Sequence, residues 1–133
     1  MSIIDFSPLK FPKGIPDYPN ILIHRLADKE LRDFYEENAS MQACLLSNFK
    51  DRIEWLHDHF GYEASHKQWF EIPKQLKPYR FIRFNRIKLL DNLRIIYVLI
   101  DGNAYLLAAT KEKRKSSYAD AAELAKQRLD GLL

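Results

Sequence analysis

Residues 91–131 read DNLRIIYVLIDGNAYLLAATKEKRKSSYADAAELAKQRLDG, and this stretch decides the fold. Asp91-Asn92 turns the chain into Leu93 to Ile100, an apolar run of strand length interrupted once, by Arg94. Asp101-Gly102 is a hairpin signal, because a two-residue turn of this kind needs residues that tolerate positive φ. It leads into a second strand, Asn103 to Thr110. A basic loop follows, Lys111-Glu112-Lys113-Arg114-Lys115, and then a helix that begins near Tyr118. Ser116 or Ser117 can cap that helix, with Asp120 three residues after Ser117. Its apolar stripe, Ala122, Ala125, Leu129 and Leu132, predicts one buried face.

Upstream, Tyr79 to Leu90 (YRFIRFNRIKLL) reads as a further strand whose alternation slips. Arg83 and Asn85 fall on one parity, Arg86 and Lys88 on the other. The slip predicts a bulge near Asn85-Arg86 or a strand in two pieces. His66 to Pro78, with two prolines, reads as irregular. A helix capped by Ser40 and stopped by Gly61 carries Leu45, Phe49, Ile53, Leu56 and Phe60 on one side. Another starts at Ala27, with Leu31, Phe34 and Tyr35 inward, and Asn20 to Leu26 can form a short strand. Residues 1–19 hold four of the six prolines and predict an extended arm. The order is strand, helix, helix, three antiparallel strands, helix. That predicts an α+β domain over residues 20–133, a small curved antiparallel sheet with two N-terminal helices and a C-terminal helix.

A chain of 133 residues suits one domain. It has no apolar run near the roughly 20 residues a membrane helix needs, so no membrane is expected as a partner. Met1 to Phe6 lacks the basic-then-apolar pattern of a signal segment. Cys44 is the sole cysteine, which excludes an intramolecular disulfide and a cysteine-built zinc site, and a reducing cytoplasm is the expected compartment. The net charge is only +3, but it is segregated. Between Pro73 and Tyr118 there are 11 Lys or Arg against 3 Asp or Glu, leaving 10 basic and 15 acidic residues elsewhere. Such a basic segment points to a nucleic acid or an acidic protein, the plain alternative being a solvated face.

The four histidines, His24, His57, His59 and His66, all precede the basic half, and His57 and His59 point to different sides of a helix. No metal site or cofactor is expected. Asp28, Glu30, Asp33, Glu36 and Glu37 read as a solvated acidic face. Arg94 is different: a guanidinium in an apolar strand must reach a carboxylate or open onto a cleft. Arg86 and Lys88, leaving one face of their strand, can converge with it if the two strands pair. Tyr118 lies in the first helical turn, where free N–H groups favour phosphate, or else it staples the helix to the sheet.

From about Lys74 onward the chain resembles the RelE/HigB group of the RelE/ParE superfamily, toxins of bacterial type II toxin–antitoxin systems. The carriers are Arg86-Ile87-Lys88-Leu89, Leu93-Arg94-Ile95-Ile96-Tyr97, the Asp-Gly hairpin, Lys111 to Arg114, and Tyr118 with Ala125-Lys126 on the last helix. The resemblance implies a ribosome-dependent mRNA endoribonuclease that inhibits translation, with mRNA, the ribosome and a cognate antitoxin as partners. The implied reaction is attack of a ribose 2′-oxygen on the adjacent phosphorus, giving a cyclic phosphate and a 5′-hydroxyl. Lys88 or Tyr118 would be the base, the former with its pKa lowered by packing among Arg86 and Arg94. Arg94 would hold the scissile phosphate beside Arg86, with Arg83 able to claim one of these roles, and Arg114 would assist the leaving oxygen. Arg80, Arg83, Lys111, Lys113 and Lys115 complete the expected RNA-contacting set. Glu112 is a departure, since RelE carries an arginine there. Either Arg114 or Lys113 replaces it or the activity is weakened. A ParE-type inhibitor of DNA gyrase and a non-catalytic RNA-binding or phage-derived regulatory module are the alternatives.

Overall fold

A computed structural model describes residues 5–112 and 117–130. Leu93–Ile100 (β5) and Asn103–Lys111 (β6) form the expected hairpin, turning on Asp101 and Gly102 with φ of 50° and 81°. They are the centre of one open sheet that also contains Phe6–Pro8 (β1), Ile21–His24 (β2), Phe70–Glu71 (β3) and Arg80–Arg83 (β4). The strand order is β1-β2-β6-β5-β4-β3. The sheet is mixed, since β2 runs parallel to β6 while the other neighbours are antiparallel. The expected purely antiparallel sheet is corrected at that point. Arg25–Glu37 (α1) and Gln42–Asp58 (α2) separate β2 from the central hairpin and carry the chain across the sheet, which permits a parallel return.

Helices cover both faces. Leu31 and Phe34 of α1 and Leu45, Phe49, Ile53 and Leu56 of α2 pack against Ile95 and Tyr97 on one face. On the other, Ala121, Ala122, Ala125 and Leu129 of Ser117–Asp130 (α3) meet Phe81, Ile96, Val98, Leu107 and Ala108. This double cover explains why β5 reads as a near-continuous apolar run instead of alternating. The predicted stripes of all three helices face the core; Leu132 lies outside the described residues.

Several boundaries differ from expectation. Ser40 sits in a 3-10 turn, Ala39–Met41, and α2 begins after Met41 with no side-chain cap. The strand expected over Tyr79 to Leu90 ends at Arg83, and residues 84–92 form successive turns. Arg86 and Leu89 adopt positive φ there, and the Arg86 N–H donates to the Asp91 carboxylate at 2.8 Å. Buried Phe84 and Leu90 pin both ends of the loop. The sheet's irregularity lies elsewhere: Ile96 pairs with Ala108 and Tyr97 with Leu106, which leaves Leu107 as the extra residue of a bulge. The proline-rich N-terminus is extended at β1, which pairs with β2, and it sends Leu9 and Phe11 into the core.

Glu30 is not part of a merely solvated acidic face. Its carboxylate accepts a two-pronged bond from Arg128 at 2.9 and 2.8 Å and the N–H of Ala109 at 3.1 Å. Arg128 also donates to the Leu107 carbonyl at 2.8 Å. Since β2 pairs only with residues 104–106, this ion pair seals the strand edge that β2 leaves open. Asp28 and Asp33 do make exposed i,i+4 pairs, with Arg32 and Lys29 respectively.

Candidate functional site

The register of three strands builds the site. Arg83 and Arg94 are direct partners across β4 and β5, and Arg94 in turn faces Thr110 of β6. By strand alternation these residues lie on the α3 face, with Phe81 and Ile96. Glu71 of β3, opposite Phe81, lies on that face too. Glu112 continues the β6 ladder, its N–H donating to the Asn92 carbonyl at 2.7 Å, and two steps beyond Thr110 it returns to the same side. The result is a row of charges across four strands, Glu71, Arg83, Arg94 and Glu112, with Tyr118 of α3 laid over it.

Arg94 is the hub. Its Nη2 pairs with a Glu112 carboxylate oxygen at 2.6 Å, and its Nε donates to the Tyr118 hydroxyl at 3.0 Å. Its Nη1 donates to the carbonyls of Asp91 and Leu93 at 2.6 and 2.9 Å. Of the two outcomes open to a guanidinium in an apolar strand, the carboxylate is the one observed. Tyr118 stacks on Phe81 at 4.5 Å and donates its hydroxyl to Glu71. It therefore staples the helix and joins the polar network at once. Burial, reinforced by the Glu71 carboxylate, raises the Tyr118 pKa, and Arg94 offsets this only in part. The phenol thus gives its proton to Glu71 while its oxygen accepts from Arg94. Arg83 lies 3.7 Å from Glu71 and also donates to the Lys67 carbonyl. The row carries two positive and two negative groups and is neutral.

The other expected residues do not all join this row. Arg86 and Lys88 are exposed on the turn after β4, not side by side on a strand. That turn does end at the row: the Asp91 carboxylate holds the Arg86 backbone while its carbonyl accepts from Arg94. Neither Arg86 nor Lys88 has an ion pair among the described residues. Lys88 is exposed, so the expected packing among arginines is not observed. Arg80 points to the opposite face, pairing with fully buried Glu63 at 2.7 Å. Lys111, opposite Leu93, also points there; its ammonium lies 5.0 Å over the Phe34 ring and 3.9 Å from Glu37. Lys113, Arg114 and Lys115 lie outside the described residues.

Glu71 and Glu63 are the residues that sequence reasoning missed. Glu63 accepts from both Arg80 and Tyr97 inside the core. Arg52 was missed as well: it is buried without a carboxylate, 4.5 Å from the Trp69 ring and 4.7 Å from the Phe84 ring. It also donates to the Arg83 carbonyl at 2.8 Å, and so supports the backbone beneath the charge row. Glu71 lies in a proline-flanked stretch with no strand period, so nothing local marked it. The described residues contain no cluster of His, Cys, Asp or Glu fit to hold a metal, and no helix among them is long and apolar enough to cross a membrane. No family model matches this chain, and no curated protein or solved structure matches it significantly.

Proposed function

We propose that this chain is a RelE/HigB-like toxin of a type II toxin–antitoxin system, acting as a ribosome-dependent mRNA endoribonuclease that inhibits translation. The observation that carries the reading is the bond between Arg94 and Tyr118, 24 residues apart and 3.0 Å from each other, at the start of α3. These are the arginine and the tyrosine that the resemblance singles out. The element order, two strands, two helices, a four-stranded meander and a helix, supports a RelE-like fold. Exposed Arg86 and Lys88 supply positive charge at the same end of the sheet, suited to the phosphates of a single strand.

In the cleavage step the ribose 2′-oxygen attacks phosphorus, its proton passes to a base, and the 5′-oxygen leaves with a proton from an acid. Arg94 stabilises the charge that develops on the phosphorane oxygens, the term that is often largest in such catalysis. Tyr118 donates to the leaving oxygen as its hydroxyl turns away from Glu71. The base is Lys88, or the ribose is activated by the ribosomal setting. A cognate antitoxin would cover the exposed basic turn with an acidic or amphipathic segment, and the compartment is the cytoplasm.

A second reading has its own support. Arg80, Arg83, Arg94 and Lys111 are each tied to a carboxylate, which favours a non-catalytic module, of the gyrase-binding ParE type or a regulatory RNA binder. The test is cleavage of a messenger RNA on programmed ribosomes by the purified protein, with Arg94→Ala and Tyr118→Phe alongside and circular dichroism to verify folding. Cleavage by the wild type that is lost in folded Arg94→Ala supports the endoribonuclease. A folded wild type that leaves the message intact supports the second reading.

A further inference from the structure

Glu112 covers Arg94 from outside. Its side chain is 38 % exposed, whereas the Arg94 side chain beneath is 9 % exposed. Nε and Nη1 of Arg94 are taken by Tyr118 and by two backbone carbonyls, so Nη2 is the corner that meets an anion. There a carboxylate oxygen lies at 2.6 Å, a charge-assisted contact that a phosphate oxygen makes equally well.

We propose that Glu112 is an internal anion occupying the phosphate place of Arg94, and that an RNA phosphate binds by displacing the Glu112 carboxylate from Nη2. This rests on the RNA-directed reading above. The backbone need not move, because the Glu112 N–H stays bonded to the Asn92 carbonyl while the half-exposed side chain rotates to solvent. Glu71 cannot take over Nη2, being engaged by Tyr118 and Arg83. The incoming phosphate therefore restores the negative charge that Glu112 withdraws, and the row stays neutral. The tethered carboxylate competes at an effective concentration on the order of millimolar or above, so the native chain is a weak anion binder. Its departure from the arginine that the family resemblance expects is a brake built into the site.

The experiment is titration of the full chain, as wild type, Glu112→Gln and Glu112→Ala, with inorganic phosphate and with a short single-stranded oligoribonucleotide, followed by calorimetry. Both variants are expected to bind phosphate about tenfold or more tightly than the wild type, with the gain abolished by adding Arg94→Ala. The isosteric Gln variant guards against loss of fold, which circular dichroism checks in each protein. Equal phosphate affinity in wild type and folded variants overturns the exchange. A gain for phosphate without any gain for the oligoribonucleotide leaves Glu112 as an anion gate and overturns the RNA-directed reading instead.

Discussion

Arg83 and Arg94 stand directly opposite one another in neighbouring antiparallel strands, on the same face of the sheet. Like charges in such positions repel, yet here each guanidinium has its own acid, Glu71 at 3.7 Å and Glu112 at 2.6 Å. Tyr118 ties the halves together by donating to Glu71 and accepting from Arg94. A change in one member is thus felt by the others.

Tyr118→Phe keeps the stack on Phe81 but leaves Glu71 and the Arg94 Nε each short of a partner. The expected cost is about 1–2 kcal/mol, read from urea unfolding. If the phenol is the proton donor, cleavage of ribosome-bound message falls about a hundredfold while RNA affinity is retained. An equal loss in both would make Tyr118 a binding residue.

Glu63→Ala strips a fully buried carboxylate from Arg80 and Tyr97. Removing one partner of a buried pair leaves the rest uncompensated, so a loss of about 3–5 kcal/mol is expected. Glu63→Gln, which can still accept a bond, should lose less. Equal losses in the two would show that shape, and not charge, is what the core requires there.

Arg52→Lys is not conservative at this position. The guanidinium lies over the rings of Trp69 and Phe84, at 4.5 and 4.7 Å, and burial brings its pKa down to about 10. An ammonium stacks poorly and is more strongly hydrated. A stability loss of about 2–3 kcal/mol is expected, with altered tryptophan fluorescence from Trp69. Arg52→Met, which fills the slot without a charge, should be milder than Arg52→Lys. The reverse order would assign the main role to the bond with the Arg83 carbonyl.

His24 caps α1, its Nδ1 accepting from the Leu26 N–H at 3.1 Å. Burial first, then the nearby Arg128, lowers its pKa from the usual 6.5. The folded state therefore holds its proton less tightly than the unfolded chain. The cap's contribution is fully present above pH 6.5 and is lost as pH falls through the lower, folded-state value. Unfolding midpoints should decline in mildly acidic buffer, and His24→Asn, which caps without titrating, should flatten that limb. An unchanged acid limb in His24→Asn would place the sensitivity in other groups.

The β5–β6 hairpin, the three helices and their inward faces were legible in the chain because each rests on contacts between near neighbours. An Asp-Gly turn, a period of 3.6 and an unbroken apolar run act over a few residues. Even the misfit at Arg86 was visible as a slipped alternation, although its cause, successive turns pinned by Phe84, Leu90 and Asp91, was not. Arg94 stood out as polar in an apolar strand, and the need for a partner followed from the energy of a buried charge alone.

Which partner answered it could not follow from the sequence. Glu112 reaches Arg94 because the hairpin register places it on the α3 face, and Lys111, one residue earlier, is sent to the opposite face by the same alternation. Glu71, Glu63 and the Arg128–Glu30 pair unite residues far apart in the chain, and the parallel pairing of β2 with β6 depends on helices crossing between them. The sequence by itself determined the elements and the charges they carry. Only the tertiary structure decided whether those charges face a ligand or each other, because Coulomb attraction depends on separation in space and is blind to separation along the chain.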